Sequence, residues 1–72
     1  MDKTMEEILK EDITYASEDS NFYYIRPKTV EEYDTTMWKI DKSTEEVEFV
    51  DFPWYIANVL PNAKEIDISK LK

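Results

Sequence analysis

Glycine, histidine and cysteine are all missing from this 72-residue chain, and each absence removes a class of chemistry. A chain of this length at ordinary composition would hold about five glycines. Without them, the loops that cradle phosphates or dinucleotides are excluded, because those loops need backbone without a Cβ. No histidine means no imidazole base near neutral pH. No cysteine means no thiolate nucleophile, no thiolate zinc site and no disulfide. Long hydrophobic runs are missing too: the longest apolar stretch, Phe52 to Leu60, falls far short of the ~20 residues a membrane span requires. The opening residues Met1-Asp2-Lys3-Thr4 lack the apolar segment of a secretory signal. A cytoplasmic location without membrane contact is the default expectation.

What is present is acid. Seventeen Asp and Glu residues face nine Lys and Arg, for a formal charge of -8. Lysine outnumbers arginine eight to one, a bias that AT-rich coding produces, which points to a low-GC bacterium or its phage as the source. Low hydrophobicity with high net charge approaches the disordered regime. Ten aromatic residues and several well-patterned segments argue instead for a folded chain, expected as a single small acidic domain over residues 1–72. A domain of this size buries only about 60% of its unfolded surface, so little stability is left to support a deep cleft lined with desolvated charge.

Thr4 and Glu7 have the spacing of a capping box. Met5, Ile8 and Leu9 recur at helical spacing behind it, and Glu6 with Lys10 adds an i,i+4 pair, predicting a short N-terminal helix. Ile13 and Ala16 would extend that stripe. The competing reading, which we prefer, makes Ile13 to Ser17 a strand that turns through Glu18-Asp19-Ser20-Asn21 into a second strand, Phe22 to Arg26, closed by Pro27. Thr29 with Glu32 forms a second capping-box pattern, and Val30 and Tyr33 lie three apart, so a single helical turn is expected there.

The clearest pattern lies between Thr36 and Asp51. Thr36 to Asp41 and Glu46 to Asp51 read as a hairpin around Lys42-Ser43-Thr44-Glu45. Pairing Asp41 with Glu46 sets Ile40 opposite Val47 and Trp38 opposite Phe49 on one face. Lys39 then meets Glu48, and Met37 meets Val50, on the other. A slip of one residue would scramble this sorting, and such cross-strand pairs stabilise a hairpin. Asp51 is then placed to cap a helix with Pro53 in its first turn, running to about Leu60 before Pro61. That helix is apolar nearly all round, with Asn58 its one polar position, and is expected to need cover on more than one side. In the tail, Ile66 and Ile68 at period two suggest a last strand, while Leu71 keeps a helix open. The architecture expected is α+β: a short N-terminal helix, an antiparallel sheet of three to five strands, and a helix near residues 52–60 packed on one face.

The candidates for chemistry are weak. Carboxylates cluster at Glu6-Glu7, Glu11-Asp12, Glu18-Asp19, Glu31-Glu32 with Asp34, and Glu45-Glu46 with Glu48. A glycosidase pair needs a walled groove and burial to raise one pKa, which a chain this small is poorly able to enclose. The loop from Asp41 to Glu46 lacks the alternating acids and the glycine of an EF-hand, and no base or oxyanion nest accompanies the Ser and Thr hydroxyls. No catalytic residue, cofactor or metal site is therefore expected. Direct nucleic-acid binding is disfavoured by the sign of the charge. The Phe22-Tyr23-Tyr24 run, a base-stacking platform in other settings, reads here as core and sheet face.

Two surfaces remain as candidates for binding a protein. Between Glu31 and Asp51 eight acids face only Lys39 and Lys42, so Glu31, Glu32, Asp34, Glu45, Glu46 and Glu48 are expected to form an acidic face able to attract a basic or nucleic-acid-binding partner. Trp54 and Tyr55 sit about 100° apart around the helix, too far for a thin domain to hide both; the more exposed one is a candidate aromatic contact, to a partner or in a homodimer. The function expected is that of a non-enzymatic protein-interaction domain. The alternative is a nucleic-acid mimic that inhibits a DNA- or RNA-binding enzyme.

Overall fold

The structure, a computed structural model, describes residues 4–28 and 35–71. The elements follow in the order α1 (Met5–Lys10), β1 (Ile13–Glu18), β2 (Phe22–Pro27), β3 (Thr36–Asp41), β4 (Val47–Asp51), α2 (Phe52–Asn58) and β5 (Lys64–Glu65). Two 3-10 turns, Leu60–Asn62 and Ile68–Lys70, complete the chain. All five strands form one antiparallel sheet in the order β4-β3-β2-β1-β5. The α+β class expected from the sequence is the one observed. The helical turn expected around Thr29, Val30, Glu32 and Tyr33 lies outside the described residues.

Local chemistry sets most of these elements. The Glu7 amide donates to the Thr4 hydroxyl at 3.2 Å and the Glu7 carboxylate accepts from the Thr4 amide at 3.4 Å, so the capping box starts α1. Residues 13–17 are strand, not helix, because β2 and β5 pair with β1 on its two sides. A bulge between Ile13 and Tyr15 absorbs one residue. The β1–β2 turn is held by Asp19, whose carboxylate accepts from the amides of Asn21 and Phe22, both at 2.8 Å, and from the Tyr24 hydroxyl at 2.9 Å. The β3–β4 hairpin has the register read from the sequence, with Ile40 on Val47, Trp38 on Phe49, Lys39 on Glu48 and Met37 on Val50.

Three expectations for the second half are corrected. Asp51 occupies the N-cap position of α2, yet its side chain makes no capping bond; its Oδ1 accepts instead from the Thr35 hydroxyl at 3.2 Å. The helix ends at Asn58, before Leu60, because Pro61 has no amide hydrogen and its ring crowds the preceding turn. The chain goes on as a 3-10 turn. Lastly, α2 is covered on one side only. Tyr55 and Val59 are buried against the sheet, while Trp54, Ile56 and Leu60 face outward, since among the described residues no further layer lies beyond the helix. In the tail both readings hold in part: β5 is a two-residue strand and Ile68 begins a 3-10 turn.

The sheet separates two different cores. On one face Ile8 of α1 meets Ala16, Ile25 and Ile40, with Met5, Leu9, Ile66, Ile68 and Leu71 around them, so both ends of the chain cover this aliphatic face. On the other, Tyr55 of α2 and Val59 just after it meet Tyr24 and Met37. Rings dominate this aromatic face: Tyr24 and Tyr55 lie 5.3 Å apart, Tyr15 meets Tyr55 edge-on at 6.2 Å, and Phe52 stacks on Tyr55 at 6.0 Å. No helix among the described residues is long and apolar enough to cross a membrane.

Candidate functional site

The alternation of side chains along β2, β3 and β4 decides which groups share a face. Tyr24 and Met37, under α2, lie on the same face as Phe22, Lys39, Asp41 and Glu48. The helix is too short to roof all of it. Beyond α2, at the hairpin end of the sheet, a shallow hollow of ≈ 230 Å³ opens, lined by Phe22, Lys39, Asp41, Glu46, Val47 and Glu48. Three carboxylates thus border one hollow with a single ammonium between them.

The cations of this region are disposed unequally. Lys42 reaches back to the β1–β2 turn, where its Nζ donates to the Asp19 carbonyl at 2.7 Å and pairs with Glu18 at 3.1 Å. Its backbone amide donates to the Asn21 carbonyl at 3.0 Å. Lys42 is thereby withdrawn from the acids of its own hairpin and ties the two turns together. Lys39 stays in the hollow, its Nζ 4.2 Å from the centre of the Phe22 ring, a cation–π contact. Asp41 has a structural duty as well: its Oδ1 accepts from the Ser43 amide and hydroxyl and from the Thr44 amide, at 2.8, 2.7 and 3.1 Å. Those bonds, the Ser43 hydroxyl first, favour the ionised form and hold its carboxyl below the ordinary value of 3.8.

Glu45 closes the hairpin with φ 62°, the one described residue with positive φ. This left-handed conformation favours glycine, of which the chain has none; a side chain there costs roughly 1–2 kcal/mol. Of the acids proposed for a binding face, Glu46 and Glu48 are brought together at the hollow, and Glu45 stands exposed at the tip of the hairpin. Glu31, Glu32 and Asp34 lie outside the described residues. Of the aromatic pair, Trp54 is 43% exposed and Tyr55 0%, so Tyr55 is withdrawn from the contact surface and Trp54 alone remains. Tyr55 cannot reach a partner because its hydroxyl is bonded to the buried Ser17 hydroxyl and donates to Tyr15 at 3.2 Å.

Four participants were missed in the sequence. Asp41 and Lys39 share the parity of Glu48 in the predicted register, so their presence at the hollow was legible there. Phe22 joins through β2–β3 pairing, and Phe49, 52% exposed, is open because β4 forms the rim of the sheet. Neither leaves a local signal. Among the described residues no group of three or more acids could hold a metal ion. Comparison of the chain with protein-family models, curated proteins and solved structures found no match.

Proposed function

We propose that this chain is a non-enzymatic protein-interaction domain that presents the acidic hairpin end of its sheet to a basic partner. The observation that carries this reading is the convergence of Asp41, Glu46 and Glu48 on one unroofed hollow, with Lys42 engaged elsewhere. Like charges gathered on one side of a small domain focus a field that speeds encounter with a cationic surface and selects against anionic ones. The exposed Trp54 and Ile56 on α2, with Leu60 in the turn after it, supply a second, apolar surface of the kind that anchors interfaces. A cytoplasmic setting in a low-GC bacterium or its phage completes the proposal.

Affinity capture from lysate at low and high salt tests this reading, with the double variant Glu46→Lys, Glu48→Lys as control. A partner retained by the wild type at low salt, and lost both at high salt and in the double variant, supports the acidic surface. Should that partner be a DNA- or RNA-handling protein displaced by nucleic acid, the mimic reading takes first place. A partner kept at high salt and lost in Trp54→Ala shifts the function to the α2 surface. Capture unaffected by any of these changes defeats the proposal.

A further inference from the structure

The rim of the sheet at β4 adds a feature distinct from charge. The Asp41 amide donates to the Glu46 carbonyl at 2.9 Å, and the Phe52 amide donates to the Thr35 carbonyl at 2.8 Å. In an antiparallel ladder the residues bonded to the partner strand alternate with residues whose amides and carbonyls point away. With the register fixed, 46, 48, 50 and 52 bond to β3, so the backbone groups of Val47 and Phe49 point outward from the sheet. The opposite rim is β5, which pairs with Ser17 and Glu18 of β1 and is only two residues long, too short an edge to hold an added strand.

Side chains on the two sides of the β4 rim differ in kind. Phe49, set edge-on to Trp38 at 6.3 Å, and Val47 belong to the aliphatic face. Glu48 lies on the other face with Lys39 and lines the acidic hollow together with Glu46. A strand added to this rim would therefore place every second residue against Phe49 and Val47 and the intervening residues against Glu46 and Glu48. The chemistry that complements both rows is an extended segment alternating apolar residues with Lys or Arg. A second copy fits less well: each copy carries -8, and edge-to-edge pairing would bring the acid rows of two rims together, the repulsion by which charged edge residues oppose self-pairing.

We infer that β4 is a docking edge for strand addition, and that its occupant is an extended, basic, alternating segment of a partner protein. This rests on the interaction reading above and specifies how the partner is held. Main-chain bonds at Val47 and Phe49 give the affinity, Phe49 provides the apolar anchor, and Glu46 and Glu48 choose the sign of the partner.

The test uses the full chain and a synthetic peptide in which lysine alternates with valine and tyrosine, with a twin that carries glutamate for lysine and a third of the same composition in blocked order. The expected result is binding of the alternating lysine peptide alone, with slowed hydrogen exchange at the Val47 and Phe49 amides. Phe49→Pro removes one outward amide while leaving the β3 ladder bonds at 48 and 50 intact, and should weaken binding about tenfold or more. Phe49→Thr keeps the backbone and should weaken it less. Glu46→Lys with Glu48→Lys should reverse the preference between the lysine and glutamate peptides. Equal binding of the blocked peptide, or binding without protection at Val47 and Phe49, overturns strand addition while leaving the acidic interaction surface standing. Failure of every basic peptide, or protection of these amides that grows with protein concentration in the absence of peptide, overturns the inference.

Discussion

The two faces of the sheet are built from different interactions. The aliphatic face joins Ile8, Ala16, Ile25 and Ile40, whose contacts are non-directional and tolerate exchange of one hydrocarbon shape for another of similar volume. The aromatic face joins Tyr24, Met37, Tyr55 and Val59 and adds directional bonds: the Tyr55 hydroxyl to Ser17 and Tyr15, and the Tyr24 hydroxyl to Asp19. The first face is closed by whatever apolar residues the chain ends deliver. The second is fixed in position by hydroxyl partners, which tie α2 to β1 and tie β2 to its own preceding turn. Specificity of packing in this glycine-free domain therefore resides mainly under α2.

The largest effects should come from removing the centre of either core. Tyr55→Ala and Ile25→Ala are each expected to cost about 3–5 kcal/mol, enough to unfold much of the population at room temperature when urea titrations are compared with wild type. Conservative changes separate the faces. Ile25→Val should cost about 1 kcal/mol, whereas Tyr55→Phe should cost about 1–3 kcal/mol, because it leaves the fully buried Ser17 hydroxyl without its partner. In the double variant with Ser17→Ala, part of that loss should return. Equal costs for Ile25→Val and Tyr55→Phe would erase the distinction between the faces.

Titration should sharpen the contrast at both ends of the pH scale. Burial, aided for Tyr24 by Asp19, pushes the Tyr24 and Tyr55 hydroxyls above their ordinary value of 10.0. A raised folded pKa means the stabilisation is whole below 10.0 and is lost as pH climbs past it. Alkaline unfolding, followed by tyrosinate absorbance and circular dichroism together, should weaken in Tyr24→Phe. For Asp19, burial alone would raise the pKa, but the Asn21 and Phe22 amides, the Tyr24 hydroxyl and Lys42 outweigh it and hold the carboxyl below 3.8. Asp41 is held down likewise, and at Asp67 the Ser69 amide and hydroxyl act in the same direction. Their contribution is present above 3.8 and fades as pH falls toward the lowered values. Asp19→Asn should therefore flatten the acid limb of the stability profile.

Smaller effects concern charge and backbone. Moderate salt should raise the urea midpoint, since screening relieves the self-repulsion of a chain at -8; an unchanged midpoint would mean the charges are already balanced locally. Glu45→Gly relieves the left-handed residue at the hairpin tip and should stabilise the fold by about 0.5–1 kcal/mol. A loss of stability in that variant would show that the Glu45 side chain does more than close the turn.

How far the sequence could be read depended on the range of each interaction. The α1 capping box and the Trp38–Phe49 hairpin register were legible because their partners lie a few residues apart or are sorted by strict alternation. The end of α2 was read two residues late because Pro61 acts on the residues before it. The candidate site was legible in part. Glu46 and Glu48 follow from alternation, but the withdrawal of Lys42 to Glu18 and Asp19 links turns 23 residues apart, and the arrival of Phe22 beside Lys39 needs β2 to pair with β3.

By itself the sequence determined an acidic, disulfide-free α+β domain without imidazole or thiolate chemistry, its strongest hairpin and the start of both helices, because composition and short-range periodicity act wherever the chain goes. Tertiary structure alone decided which of Trp54 and Tyr55 is buried, which face α2 covers, which carboxylates share a hollow and which strand is left at the rim. Those outcomes depend on strand order and on hydroxyl partners up to 40 residues apart, and such contacts exist only after the sheet has closed.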